Sequence, residues 1–289
     1  MKSALAAALL LAMPVSARAA DLPIPIVAAE NFYAEVASAI GGDRVSVESV
    51  VVSAEADPHD FEPPASVARS VADARFVVMN GIEYDHWMER LVEATDAPDR
   101  TVIEVSTLIG AKEGDNPHLW YDPRAVPALA DALAGALSAA DPDGRAGYQS
   151  RKKAFLATLQ PLDEKIGDIR GRYAGAPVTA TEPVFGLMAE ALGLEMRNVD
   201  FQRAIQNETE PSARQIAEME ADLRDHRVKV LFYNNQVVDP LTERLLATAE
   251  EAGVPVVGVT ETMPVGATYA GWMLDQLDAT ERALSTPSS

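Results

Sequence analysis

The chain has 289 residues, 24 Lys and Arg against 44 Asp and Glu, a formal net charge of −20 at pH 7, four His and no Cys. The missing thiol excludes a disulfide scaffold, a thiolate zinc module, a cysteine nucleophile and an iron–sulfur centre. The acidic balance argues against a nucleic-acid partner, and a hydrophobic content of 48% argues against disorder, because a core can form.

The first 20 residues read as a targeting segment. Lys2 gives a positive start, residues 4–13 form a short apolar run, and Ala17-Arg18-Ala19 supplies a small-x-small cleavage pattern. The run is too short to span a bilayer stably. A secretory signal peptide over residues 1–20 is the expectation, with a soluble periplasmic product. No Cys stands at the cleavage point, so the product is expected not to be a lipoprotein.

After it, short β-branched runs alternate with amphipathic stretches, the pattern of an α/β fold with parallel sheets. Strands are predicted at 24–28, 45–52, 75–79 and 101–105, with helices at 32–40, 66–72, 84–93 and 123–140. Next comes one long helical face: Tyr148, Phe155, Leu159, Leu162, Ile166, Ile169 and Tyr173 recur at sevens, threes and fours. Pro161 inside it predicts a kink. The second half predicts strands at 177–181, 195–199, 228–233 and 254–259, and helices at 185–192, 212–225, 240–252 and 268–284. The expected organisation is an N-terminal α/β lobe over 21–141, a linking helix over 142–175 and a C-terminal α/β lobe over 176–289.

Two of the histidines share a context. His59 lies in Ala56-Asp57-Pro58-His59-Asp60-Phe61-Glu62-Pro63-Pro64, and His118 in Asn116-Pro117-His118-Leu119-Trp120-Tyr121-Asp122-Pro123. Each is preceded by proline, which restricts the backbone, and each sits in a loop before a helix. Two preorganised imidazoles from separate loops suit a transition-metal site without thiolate. Taken singly, either could instead cap a backbone carbonyl. His86, at a helix start, and His226, at a helix end, read as solvated bystanders. Glu182 and Glu261 each follow a predicted strand, on the edge where α/β lobes bind ligands. Alone, either could be a helix N-terminal acid stabilised by the dipole. Asp57 and Glu62 flank His59 and read as supporting or capping groups.

The segments Asp-Pro-His-Asp-Phe-Glu-Pro at 57–63, Asn-Pro-His-Leu-Trp-Tyr-Asp-Pro at 116–123 and Thr-Glu-Pro-Val-Phe-Gly at 181–186 resemble a known family. It comprises the zinc- and manganese-binding solute-binding proteins of bacterial ABC importers, cluster A-I or ZnuA/TroA-like. The resemblance implies two α/β lobes joined by a long helix, with the metal site in the cleft between them. It implies one ligand from each of four loops: His59, His118, Glu182 and Glu261. The family usually has Asp at the fourth position, so Glu261 is a departure, with Asp239 and Asp200 as fallbacks. The His-rich loop of many zinc members has no counterpart in Ala111-Lys112-Glu113-Gly114-Asp115.

Two neutral imidazoles and two carboxylates carry about two negative charges, matching one divalent cation, and that neutralisation makes its burial tolerable. Glu where zinc receptors often have a third His tilts the donor set toward manganese, while the general affinity order favours zinc. The expected function is capture of Mn2+ or Zn2+ as transported ligand and delivery to an ABC permease membrane subunit. The chain is expected to act as a monomer, with a metallochaperone as a further candidate partner. The alternative is a periplasmic metallohydrolase on the same residues with Glu62 as base. No His-Glu-x-x-His motif is present, and four ligands leave little room for an activated water, which argues against catalysis, so no catalytic residue is named. A metal-free receptor for an organic solute is a third reading.

Overall fold

The computed structural model describes residues 23–52, 61–237 and 239–286. The expected signal segment and His59 lie outside these residues. The first lobe runs β1 (Ile24–Glu30), α1 (Asn31–Gly41), β2 (Val45–Val51), α2 (Ala65–Asp73), β3 (Phe76–Met79), α3 (His86–Ala94), β4 (Thr101–Glu104), α4 (Val105–Ile109) and α5 (Ala125–Ala140). Then comes α6 (Arg145–Tyr173). The second lobe runs β5 (Pro177–Ala180), α7 (Gly186–Ala191), β6 (Glu195–Met196), α8 (Val199–Gln206), α9 (Ala213–Arg224), β7 (Leu231–Asn234), α10 (Pro240–Ala252), β8 (Val256–Val259) and α11 (Tyr269–Ser285).

Both sheets are parallel and wound alike. Their strand orders are β2-β1-β3-β4 and β6-β5-β7-β8. In each, the order reverses beside the first strand, so the switch points are β1/β3 and β5/β7. Outside the carboxyl ends at such a point is where open α/β sheets bind ligands. Those ends place Glu30 and Asn80 in one lobe, and Glu182 and Asn234 in the other. The central strands are apolar because helices cover both faces: every residue of β3 and of β7 is buried.

The long helix forms as its periodicity predicts. Tyr148, Phe155, Leu159, Leu162 and Ile169 are buried along one face of its 29 residues, and it continues as one helix through Pro161. Its length is about 43 Å at the usual rise. It packs on α1 and α5 of the first lobe and on α11 of the second. Arg151 donates to the Ile40 and Gly41 carbonyls at 2.7 and 2.8 Å, tying α6 to the end of α1. Lys165 pairs with Asp278 and Glu281 of α11.

The lobes share one core. Phe32, Tyr33, Trp120 and Tyr121 from the first lobe join Phe185, Tyr269 and Trp272 from the second in a single buried cluster. Ring centroids lie 4.9 Å apart for Phe32–Trp120 and 5.4 Å for Tyr121–Phe185. Separate apolar clusters cover the far faces, around Val77 and Trp87 in one lobe and Phe201 and Leu245 in the other. No helix among the described residues is long and apolar enough to cross a membrane.

Two helices, α4 and α8, are not legible in the sequence, and the strand expected at 195–199 is shorter. Asn198 takes a left-handed conformation, φ 57°, which ends the edge strand and turns Val199 into α8.

Candidate metal centre

His118 is held by its own loop. Asn116 donates through Nδ2 to the Pro183 carbonyl at 2.7 Å. Its oxygen therefore faces the histidine, accepting from the His118 backbone N at 3.1 Å and lying 2.7 Å from Nδ1. That assigns the proton to Nδ1 and leaves Nε2 with the lone pair, the usual arrangement for a metal-binding imidazole. Asn80 donates to the Pro117 carbonyl at 2.9 Å and fixes the loop from below. Trp120 and Tyr121 anchor it from behind, and the His118 residue is 1% exposed.

Glu182 follows β5 in extended conformation, ahead of the proline-led turn Pro183–Phe185, and its side chain makes no capping bond there. It turns instead toward Asn234, whose Nδ2 donates to Glu182 Oε2 at 2.5 Å and to Glu261 Oε1 at 2.8 Å. Glu261 follows β8 and is 2% exposed. Its Oε2 lies 3.6 Å from His118 Nε2 and accepts from Tyr84 Oη at 3.3 Å. Gln236 Oε1 accepts from the backbone N of Glu261 at 2.5 Å and of Thr262 at 3.2 Å.

Three of the four residues named from the sequence are thus brought to one buried place between the lobes: His118, Glu182 and Glu261. The fourth, His59, lies outside the described residues. Among the described residues no three His, Asp or Glu side chains form a complete metal-holding group. The fallbacks are elsewhere. Asp239 caps α10, accepting from the Leu241 and Thr242 backbone at 2.6 and 3.1 Å, and Asp200 is exposed in the first turn of α8. His86 is exposed and bonded to Glu89 at 2.9 Å. His226 is exposed beyond the end of α9. Glu62 is exposed.

Further hydrogen bonds cross between the lobes around this place. Tyr121 Oη donates to the Thr260 carbonyl at 2.8 Å, and Tyr269 Oη to the Trp120 carbonyl at 2.6 Å. Asn31 donates to the Met263 carbonyl at 2.7 Å and accepts from its N–H at 3.2 Å.

Behind the first-lobe loop sits a pair of buried acids that the sequence does not single out. Glu30 is fully buried, and neither of its oxygens meets a hydrogen-bond donor among the described residues. Burial, then the neighbouring Asp85 carboxyl, hold it well above the usual carboxylate range. Burial also pushes Asp85 up, to about 6, against the opposing hydrogen bonds from the Gly81 and Asn80 backbone. Sequence reasoning misses Asn80, Tyr84, Asn116, Asn234 and Gln236 for a simple reason. The amides carry no charge and the tyrosine none at neutral pH, so a search for charged groups and imidazoles at strand ends passes over them. Asn234-Asn235-Gln236, directly after an apolar run, carries the same positional signal as Glu182.

Two parallel α/β lobes, a single backing helix and a ligand edge between them form the frame around this place. The chain belongs to the family described as ZnuA, zinc-uptake complex component A, periplasmic, whose model matches residues 26–283. It is 35% identical over 150 residues to the manganese-binding lipoprotein MntA of Halalkalibacterium halodurans, spanning 50% of this chain and 49% of that protein. It is 23% identical over 286 residues to the manganese ABC transporter substrate-binding lipoprotein PsaA of Streptococcus mitis, spanning 91% and 89%. Its fold matches the periplasmic zinc binding protein TroA from Treponema pallidum with a TM-score of 0.76, at 20% identity over 90% of this chain and 99% of that one. The family consists of solute-binding proteins, not enzymes, and nothing supports the hydrolase alternative. Two of these relatives are named lipoproteins, which stands against the expectation of an unanchored chain. That expectation rests only on the absence of Cys from the 289 residues.

Proposed function

We propose that this protein captures one divalent transition metal ion, Mn2+ or Zn2+, between its lobes and delivers it to the membrane permease of an ABC importer. The ligands in this reading are His59 and His118 from the first lobe and Glu182 and Glu261 from the second. The observation that carries it is the burial of His118, Glu182 and Glu261 side by side. Buried carboxylates beside an imidazole need a compensating charge, and a divalent cation supplies it. Residues 1–20 act as the export signal in this reading, and the chain works as a monomer in the periplasm.

The ion neutralises the two carboxylates and ties loops from both lobes. The ligands must be deprotonated, so affinity falls as pH drops through the histidine range. Metal content of the purified protein tests the reading. One ion per chain is expected in the wild type and none in a His59→Ala, His118→Ala double variant. One-to-one binding retained by the double variant overturns it.

A further inference from the structure

We infer that Asn234 tunes which metal the site prefers, by holding one oxygen of each glutamate so that each carboxylate presents a single oxygen to the ion. The inference rests on the metal-capture reading above. Asn234 ends β7 and is buried. Its amide has one possible orientation, because Oδ1 accepts from the Gln236 backbone N at 3.0 Å. Nδ2 then faces the acids, and its two hydrogens are spent on Glu182 Oε2 and Glu261 Oε1.

The same short segment also fixes the main chain beneath both acids. The Asn234 N–H donates to Thr181 Oγ1 at 3.2 Å, next to Glu182. Gln236 takes the Glu261 and Thr262 N–H groups, and its Nε2 donates to Thr262 Oγ1 at 3.0 Å. The glutamates therefore have little freedom to rotate. Two-oxygen binding by either would put the ion on an oxygen that already accepts from Asn234, so the ion and the amide would compete for that oxygen's charge.

Coordination number follows. Two imidazoles and two single-oxygen carboxylates make four ligand atoms, the number that closed zinc sites use. Manganese is better served by more oxygens in a higher-coordinate shell. Asn234 thus opposes the tilt toward manganese that Glu182 introduces. It is a positioning residue, acting on the ion through the two carboxylates.

The test uses the full-length wild type, Asn234→Ala and Asn234→Ser. Zn2+ and Mn2+ affinities are measured by competition with a chromophoric chelator, and visible spectra are recorded after loading with Co2+. Asn234→Ala is expected to raise the manganese-to-zinc affinity ratio by about tenfold, in the range of effects from groups that orient metal ligands. Its Co2+ bands are expected to weaken as coordination rises above four. Asn234→Ser, with one hydrogen to donate, is expected to fall between, and it carries the test if the Ala protein does not fold. Equal losses for both metals, or an unchanged ratio and Co2+ spectrum, overturn the inference and leave metal capture standing. A wild type that binds neither metal overturns both.

Discussion

In the first lobe Glu30 stands opposite Asn80, two residues past the last described β1–β3 pair, Ala28 and Val78. In the second, Glu182 stands opposite Asn234, two residues past the last described β5–β7 pair, Ala180 and Phe232. The same two residue types therefore occupy the same register at the same switch point. Their surroundings send them different ways. After β1 the chain enters α1 at once, so Glu30 is sealed under helix and loop, and burial beside Asp85 holds its carboxyl well above the usual range. After β5 the turn Pro183–Phe185 intervenes, and Glu182 reaches the space between the lobes. After β4 the chain again enters a helix directly, whereas after β8 a loop carries Glu261 toward Asn234. Asn80 spends its amide on the Gly81 and Pro117 carbonyls, and Asn234 spends its own on two carboxylates. Topology supplies the positions. The length of connection after each strand decides whether an acid there is a proton holder or a candidate ligand.

Exchanging acid for amide at the two matched positions is the most severe test of this difference. Glu182→Gln removes a charge from the candidate ligand set and is expected to weaken metal binding about a thousandfold, roughly 4 kcal/mol, as for breaking a buried charge pair. Glu30→Gln is expected to leave affinity unchanged, because the side chain is sealed under helix and loop, away from the candidate ligands. Calorimetric titration of both variants with Zn2+ checks this. Equal losses would erase the distinction between the lobes.

The acid pair also predicts the direction of a pH effect on the metal-free protein. The folded state keeps protons on Glu30 and Asp85 that the unfolded chain releases. Stability is therefore lost as pH rises through that window, and the loss levels off above the folded values. For Asp85, raised from 3.8 to about 6, the loss is about 3 kcal/mol between pH ~4 and ~6. Glu30, raised in the same sense by burial and then by Asp85, adds to this loss, and Glu30→Gln removes its share. Denaturant melts of wild type and variant across this range measure it. A difference between the two that does not change with pH counts against a proton-holding Glu30.

Much of this arrangement is legible in the amino-acid sequence. The eight strands of the described residues, the backing helix and the apolar face from Tyr148 to Ile169 follow from periodicity, which reports burial directly. The Pro-His loops and the acids at strand ends stand out because proline and charge are informative singly. The matched pairs Glu30–Asn80 and Glu182–Asn234 do not, since they depend on strand register, which no local pattern encodes. Asp85 falls in the first turn of the helix predicted over 84–93. Only the turn through Gly81, Ile82 and Glu83, all at positive φ, folds it back onto the Asn80 and Gly81 N–H groups.

A middle-sized effect is expected at Asn80. Asn80→Ala takes a donor from the Pro117 carbonyl and an acceptor from Tyr33 Oη, which donates to Asn80 Oδ1 at 2.8 Å. Both partners are buried, so the loss is about 2 kcal/mol of stability. The His118 loop also loses its support from below, and metal affinity is expected to fall alongside. Thermal melts with and without Zn2+ separate the two. A variant as stable as the wild type, with unaltered affinity, would mean that the loop is held by Asn116 and the aromatic anchors alone.

The smallest effect expected is at Tyr84, the first-lobe residue whose hydroxyl meets a second-lobe acid. Tyr84→Phe keeps the ring against Trp120, 4.7 Å between centroids, and removes the hydroxyl that donates to Glu261 at 3.3 Å. That bond is long, so its removal is expected to change metal affinity by about threefold, within the ~0.5–1.5 kcal/mol of a single hydrogen bond. The direction is the informative part. If the hydroxyl restrains Glu261 as Asn234 does, its loss loosens the carboxylate and favours manganese over zinc slightly. If it only links the lobes, both affinities fall together. Competition titrations on Tyr84→Phe distinguish these, and pairing it with Asn234→Ala in a double-variant cycle shows whether the two donors act on one carboxylate or independently.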